Sequence, residues 1–257
     1  MNDYDWSWIK GYQRIAEELT VRQDMVTLLR YLQSNRVTGT KSLGNLPLKA
    51  VRDITAMFVN PPILDHNIGE RVYKVRSEDE VWPLVLLHAV AEGGELLTGD
   101  RSRLFRVTPM GDRFLSFTPL EQVKYLIYTW WTRVNWLIAY PYEAMGDELP
   151  QYFHFNTLES LLGVKYDKQV QFEPFAEKVI EETGLTWTSE YTGSHRSHLI
   201  DSIERMVVDV MKDFGVLNVG YREELKYSVV FKKLHTIQIT EFGQDLLTMV
   251  YLKFLKV

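Results

Sequence analysis

Apolar residues recur every three or four positions along most of this chain, a spacing that predicts a mainly helical protein. The first such stretch covers residues 5–35, where the apolar positions run from Ile15 to Leu32. The second, over 47–58, follows a turn in which Asn45 is placed to cap the helix. Further helices are predicted at 80–91, 118–138, 174–183, 195–213 and 240–255, and a short strand at 72–75.

One motif occurs twice, 132 positions apart: Thr108 to Gly111 and Thr240 to Gly243, each after an apolar strand residue and before an apolar helix. Each threonine hydroxyl can accept an orphan backbone N–H and so cap the helix that follows. A glycine one turn into a helix costs about 1 kcal/mol relative to alanine. Because the cost is met twice at one position, we expect another element to cross there too closely for a Cβ atom.

The residues upstream of each copy complete a larger repeat. An apolar helix ends at glycine and continues as a strand, with Gly94 matching Gly215 and Leu96 matching Leu217 at a spacing of 121. Since the threonines are 132 apart, the second hairpin is expected to be 11 residues longer. The order predicts a mainly α protein with small antiparallel β hairpins, at about 95–108 and 216–240, in two tandem winged-helix domains (α+β). The alternative is chance recurrence of a short capping pattern.

The domain boundary is predicted where proline and glycine concentrate, between 139 and 151. Three regions follow from it. They are an N-terminal helical segment over 1–35, a first winged-helix domain with an aromatic linker helix over 36–140, and a second winged-helix domain over 151–257.

Composition limits the classes of protein to consider. A chain of 257 residues is long enough for about two domains, and with no cysteine it has neither disulfides nor thiolate zinc sites. No run approaches the roughly 18 apolar residues of a membrane helix. The acidic start of the chain favours the cytoplasm over export. A net charge of −5 weighs against a dedicated nonspecific nucleic-acid binder, but it does not exclude a local basic face.

Several short motifs carry a family resemblance. They are Gly44-Asn45-Leu46-Pro47-Leu48, the helix 82–91, Val107-Thr108-Pro109-x-Gly111, and Thr118-Pro119-Leu120-Glu121-Gln122 leading to Trp130, Trp131 and Trp136. With them, residues 37–140 resemble the winged-helix domains grouped with the amino-terminal region of XPB-type helicases. The resemblance implies a non-catalytic tandem winged-helix protein. The motor is absent, because Gly39-Thr40-Lys41-Ser42 lacks the first glycine and the Gly-Lys step of a phosphate-binding loop.

Candidate catalytic and metal-binding residues are few, and neither an enzyme nor a cofactor is expected. His195 and His198 lie three apart and could share a metal, although a polar helix start is the favoured interpretation. The acidic run Glu78 to Glu80 is interpreted as a solvated helix cap. His88, on an apolar helix, is interpreted as a satisfied core or interface residue.

The aromatic residues around the predicted linker helix allow two interpretations. They could stack on nucleic-acid bases, or they could be packed inside the protein around a helix wedged between two domains. The second is favoured, because a helix that is apolar nearly all round must bury its faces. The residues are Tyr125, Tyr128, Trp130, Trp131, Trp136, Tyr140 and Tyr142.

Positive charge is concentrated where a winged helix would contact phosphates. Residues 36–60 hold four cations against one acid, net +3, and residues 99–113 hold four against two, net +2. The second hairpin also holds four cations against two acids, net +2. We therefore predict a double-stranded DNA-binding, transcription-associated protein; the alternatives are an adaptor that binds a protein partner or forms a homodimer, and arginines that only keep edge strands soluble. The candidate contact residues are Lys41, Lys49, Arg52, Arg101, Arg103, Arg106, Lys226, Lys232 and Lys233.

Overall fold

The computed structural model describes residues 11–68, 71–139, 149–187, 195–226 and 229–255. The fold is mainly helical with small antiparallel sheets, as predicted. The chain divides into two compact units: an amino-terminal unit over 11–134, and a carboxy-terminal unit over the described residues from 135 onward. The helices over 11–35, predicted as a separate segment, belong to the same unit as residues 36–134.

The amino-terminal unit differs from the prediction at two helices. The stretch predicted over 5–35 is broken at Leu19, whose backbone is extended, and the helix predicted to reach 138 ends at Arg133. The elements are α1 (Gln13–Glu18), α2 (Thr20–Ser34), α3 (Leu48–Thr55), β1 (Asp65–Ile68), β2 (Arg71–Lys74), a 3-10 turn (Glu78–Glu80), α4 (Trp82–Gly93), β3 (Leu97–Thr98), β4 (Arg106–Val107), α5 (Pro109–Leu115) and α6 (Pro119–Arg133).

The carboxy-terminal unit follows the predicted helices closely. Gly184, with a φ of 69°, ends the helix predicted at 174–183 in the left-handed conformation that favours glycine. The elements are a 3-10 turn (Trp136–Ala139), α7 (Phe153–Leu162), β5 (Val170–Gln171), α8 (Phe172–Thr183), α9 (His195–Ile203), a π-helical turn (Glu204–Asp209), α10 (Val210–Asp213), β6 (Leu217–Lys226), β7 (Val229–Ile239) and α11 (Glu241–Phe254).

Both units place similar elements in one order: a helix, a short extended segment, two helices, a hairpin and a capped helix. In the amino-terminal unit the extended segment bridges the hairpin at Thr38 and Leu104, and in the carboxy-terminal unit β5 pairs with β7. Both predicted hairpins are present, β3–β4 and β6–β7, here called the short hairpin and the long hairpin. Among the described residues, the amino-terminal unit holds an additional hairpin, β1–β2, between α3 and α4; it is here called the insert hairpin.

The base of the short hairpin is fastened to the helix that follows it. The Thr108 hydroxyl accepts the Gly111 N–H at 3.0 Å, which confirms the predicted cap, and donates to the Glu95 carbonyl. The Thr108 N–H donates to the Leu96 carbonyl at 3.0 Å. A Cβ on Gly111 would collide with that same carbonyl, so the predicted close approach is confirmed.

The long hairpin repeats this arrangement. The Thr240 hydroxyl accepts the Gly243 N–H at 2.8 Å, and the Thr240 N–H donates to the Val216 carbonyl at 2.9 Å. A Cβ on Gly243 would collide with the backbone of Val216. The two bases therefore share one hydrogen-bond pattern and one steric requirement.

The register of the repeat corrects the sequence alignment by one residue. Leu96 and Val216 occupy the same place, 120 positions apart, and the left-handed residue before each is Glu95 (φ 55°) or Gly215 (φ 69°). Pairing Gly94 with Gly215 was therefore wrong, because the backbone conformation recurs and the residue type does not. With the threonines 132 apart, the long hairpin is 12 residues longer and not 11.

The tryptophans of the aromatic cluster are buried in the cores. Trp130, Trp131 and Trp136 are each exposed by 1% or less, which excludes them from stacking on nucleic-acid bases. The Tyr125 hydroxyl donates to the Gly94 carbonyl. The interpretation as packed interior is thus confirmed for these tryptophans. Tyr128 is partly buried, and Tyr140 and Tyr142 lie outside the described residues.

Candidate nucleic-acid interface

Five exposed cations lie on the short hairpin and on the extended segment and loop beside it. In the described part of the chain none of the five forms an ion pair, so their charge is directed to solvent. We call this set the short-hairpin cluster: Arg36, Lys41, Arg101, Arg103 and Arg106. Three of the predicted contact positions on the hairpin and one on the loop are therefore brought together.

Two glycines allow the loop carrying Lys41 to lie directly against the hairpin tip. The Gly39 N–H donates to the Arg103 carbonyl at 2.9 Å. A Cβ on Gly39 would collide with the Asp100 carbonyl, and Gly44 has a φ of 83° and faces the Asp100 side chain. Close approach to the hairpin therefore explains Gly39, in the stretch that was compared with a phosphate-binding loop, and Gly44 after it.

A buried glutamate fixes the end of the same loop. Glu78, 2% exposed, accepts the Leu46 N–H at 2.6 Å and contacts His88 Nδ1 at 2.6 Å. The expectation of a solvated acidic cap was therefore wrong for Glu78. Asn45 does not cap α3 either, because its amide donates to Asp79 and Pro47 occupies the cap position.

His88 is the buried cation of this arrangement. Burial alone would lower its pKa, but the hydrogen bond to Glu78, the contact with Glu92 and the charges of the two carboxylates raise the pKa to about 10. Its Nε2 lies 3.5 Å from Glu92, and its ring contacts Phe105 edge-on at 5.2 Å between centroids. The ionised side chain is thus hydrogen-bonded through Nδ1, whereas Nε2 is buried without a hydrogen-bond partner, so the prediction of a satisfied residue is confirmed for one ring nitrogen only.

The two candidate cations on α3 differ from each other. Lys49 is exposed. Arg52, predicted to face outward beside it, is half-buried and donates to Asp65 of β1 at 2.8 Å. This correction arises because β1, separated from α3 by an irregular segment, supplies a carboxylate that helical spacing cannot reveal.

Two cations of the long hairpin lie near acids, although the hairpin as a whole has a net charge of +2. Lys232 is paired across the strands with Glu223, and Lys233 lies 3.7 Å from Glu173 of α8. Lys226 ends β6, and its side chain lies outside the described part of the chain. A groove of about 400 Å³ between α8 and the hairpin is lined by side chains of both signs: Glu173, Glu177, Arg222, Glu224, Lys233 and His235.

The helix that precedes the hairpin is poor in positive charge in both units; it is α4 in the first unit and the stretch 195–213 in the second. Helix α4 contains no lysine or arginine, and its most exposed side chains are Pro83 and Glu92. The helical stretch 195–213 contains three cations and four acids, net −1. A helix that enters the major groove approaches two rows of phosphates, so neither helix has the charge suited to that position.

The histidine pair at the start of α9 does not gather into a metal site. His198 stacks on the Trp187 ring at 4.9 Å between centroids. Across the described ranges of the chain, no three histidine, aspartate or glutamate side chains are grouped so as to hold a metal ion.

Comparisons with protein-family models, with curated proteins and with solved structures give no significant match. None of the helices in the described residues is long and apolar enough to cross a membrane.

Proposed function

We propose that the chain is a non-enzymatic tandem winged-helix protein that binds double-stranded DNA through the short-hairpin cluster. The winged-helix assignment is supported by the order of helices, extended segment and hairpin that both units share. The DNA proposal rests on one observation. Five exposed cations are concentrated on one hairpin and its neighbouring loops in a chain of net charge −5.

The proposed contact with DNA is made by the short hairpin and not by α4, the helix that precedes it. Arginines at a hairpin tip reach phosphates along the backbone or the minor groove, where they position the protein but read little sequence. Helix α4 is apolar and the stretch 195–213 is acidic, which argues against direct readout of bases in the major groove by either of them. Affinity should therefore depend strongly on salt and weakly on base sequence.

A salt titration of a labelled 20-base-pair duplex tests the proposal, by fluorescence anisotropy from 50 mM salt upward. Replacing Lys41, Arg101, Arg103 and Arg106 with alanine should weaken binding to every duplex tested. The slope of log affinity against log salt should fall by about 0.9 for each phosphate that the variant no longer neutralises. The matched control replaces four exposed cations elsewhere: Arg14, Arg30, Lys165 and Lys168. No duplex binding by the wild type at 50 mM salt, or an equal decrease in affinity in both variants, would reject the cluster as the interface.

The second candidate is a protein-interaction adaptor. It is favoured by the insert hairpin and the segment before it, where Ile63 is 74% exposed, Val72 57% and Tyr73 50%. The winged-helix domain of the amino-terminal unit would then serve as a rigid platform for this hairpin. The adaptor proposal does not need the short-hairpin cluster, so the titration above separates the two functions.

A further inference from the structure

We infer that the open edge of the insert hairpin binds an acidic segment of another protein, which adds to the hairpin as a third strand. The proposal is independent of DNA binding. It rests on the hydrogen-bonding direction of β2 and on the charges of residues 71–76.

The register shows which backbone groups of β2 point outward. The Val75 N–H donates to the Leu64 carbonyl at 3.0 Å, and the antiparallel pairing continues from Lys74 opposite Asp65 to Arg71 opposite Ile68. In an antiparallel pair, residues that share both hydrogen bonds alternate with residues that share none. Arg71 and Tyr73 therefore point their backbone groups toward β1, whereas those of Val72 and Lys74 point away from it.

Residues 65–67 of β1 are exposed like those of β2, and the strands differ in that β1 is tied to a neighbouring helix by an ion pair. On the β1 side, Asp65 is held by Arg52 of α3 at 2.8 Å. On the β2 side all four strand residues are exposed, and no hydrogen bond within the described residues uses the outward groups of Val72 or Lys74. An edge of this kind is the geometry that proteins use to bind extended peptides by main-chain pairing.

The side chains of β2 specify the chemistry of the added strand. Residues 71–76 contain Arg71, Lys74 and Arg76 and no acid, and of these cations Arg76 is paired with Glu80 at 3.1 Å. Because side chains alternate between faces, Arg71 and Tyr73 share one face, and Val72 and Lys74 share the other. Each face thus presents one cation and one apolar group. The complementary strand reads acidic, apolar, apolar, acidic, a pattern that is the same in parallel and antiparallel directions.

The probe is a fluorescein-labelled peptide whose core is glutamate, valine, valine, glutamate between flexible polar ends. It is titrated against the full chain at 50 mM salt by anisotropy and by amide chemical shifts. We expect binding, with shifts concentrated at Val72 and Lys74, and at least about tenfold weaker binding of a peptide with lysines in place of the glutamates. Absence of binding by the glutamate peptide would overturn the proposal.

One substitution separates main-chain pairing from side-chain contact. Val72→Pro removes an outward N–H and leaves the hydrogen bonds to β1 in place, since an edge strand tolerates proline where its N–H faces outward. The control Val72→Thr keeps the N–H and the branched shape. We expect about tenfold weaker peptide binding for Val72→Pro than for Val72→Thr, the loss of one hydrogen bond at the strand edge. Equal affinities for the two variants would contradict main-chain pairing.

A charge reversal tests the chemistry of the partner. Replacing Arg71 and Lys74 with glutamate should abolish binding of the acidic peptide and transfer preference to the lysine peptide. Thermal unfolding should show only a small loss of stability, because both side chains are exposed and glutamate at 74 lies opposite Asp65. If the reversal instead lowers affinity for duplex DNA and leaves peptide binding unchanged, the edge is a nucleic-acid surface and the peptide proposal is overturned.

Discussion

The short hairpin and the long hairpin are closed at the base by the same hydrogen bonds, but what surrounds each hairpin differs. The short hairpin lies over an ionised histidine, His88, between two carboxylates, and it carries cations without ion-pair partners in the described residues. In the unit that carries the long hairpin, the partly buried histidine is His154, packed edge-on against Trp136 at 4.4 Å; on that hairpin, Lys232 lies opposite Glu223 and Lys233 lies 3.7 Å from Glu173. The two units therefore share the structure of the hairpin base and differ in the charged residues around the hairpin, which determine what each surface can bind.

The largest expected effect tests whether the two bases are equivalent. Gly111→Leu and Gly243→Leu should each destabilise the unit that holds the glycine by about 3 kcal/mol or more, because the new side chain meets a backbone carbonyl that cannot move without breaking the threonine hydrogen bond. Urea unfolding measures the decrease in stability. Gly11→Leu is the control, since a Cβ there meets nothing within 4 Å. If only one of the two variants kept wild-type stability, the two hairpin bases would not share the same steric requirement.

The two buried histidines should respond to pH in opposite directions. The pKa of His88 is raised to about 10, above its unfolded value of 6.5, so its stabilising contribution is complete below pH 6.5 and is lost as the pH rises toward 10. Burial lowers the pKa of His154 to about 4, so its contribution is present above pH 6.5 and is lost as the pH falls toward 4. Each change amounts to a few kcal/mol at most.

The measurement is the free energy of unfolding of wild type and variants across pH 4–10. His88→Gln should remove the alkaline decrease in stability, and His154→Phe should remove the acid decrease. Burial also raises the pKa of Asp213 to about 6, and that carboxyl stabilises the folded state as the pH falls. Below pH 6.5 the free energy of unfolding of the variant is therefore subtracted from that of the wild type, so that the contribution of Asp213 cancels. Parallel pH profiles for wild type and His154→Phe would show that folding does not change the pKa of His154.

The smallest expected effect concerns the left-handed residue before each hairpin. Glu95→Gly should stabilise its unit by about 0.5 kcal/mol, since relief of the positive φ outweighs the greater freedom of glycine in the unfolded chain. Gly215→Ala should cost about 1 kcal/mol for the converse reason. Differential scanning calorimetry resolves both. Opposite signs would support the 120-residue register, and a neutral Gly215→Ala would count against it.

Local signals in the sequence predicted much of the fold. The threonine caps at 108, 118 and 240, the glycine that ends α8 and both hairpins are encoded within a few residues, and the structure contains all of them. The repeated glycine was informative because its cost in a helix requires a compensating contact. That contact, a backbone carbonyl at the start of each hairpin, is the one found.

The interactions that sequence analysis missed join residues far apart in the chain. Glu78 resembles a surface acid until Leu46 and His88 are placed around it, and Arg52 resembles a free cation until β1 brings Asp65 to it. The break at Leu19 lies inside an uninterrupted apolar pattern that has no glycine or proline to mark it. For the candidate site, the clustering of arginines was visible in sequence, but the two glycines that hold the loop to the hairpin tip required the structure.

The fastened hairpin base has a mechanical consequence. Thr240 is hydrogen-bonded both to Gly215 and Val216, just before β6, and to the first turn of α11. These bonds fasten the base of the hairpin to that helix. Strand β6 has 10 residues, which corresponds to an arm of about 33 Å at 3.3 Å per residue. A force applied at the tip of the long hairpin would exert on α11 a torque proportional to the length of this arm. Strand β3 of the short hairpin has only 2 residues, so the same force there would exert a much smaller torque. Pulling the tip of the long hairpin should therefore tilt α11 before the strands separate.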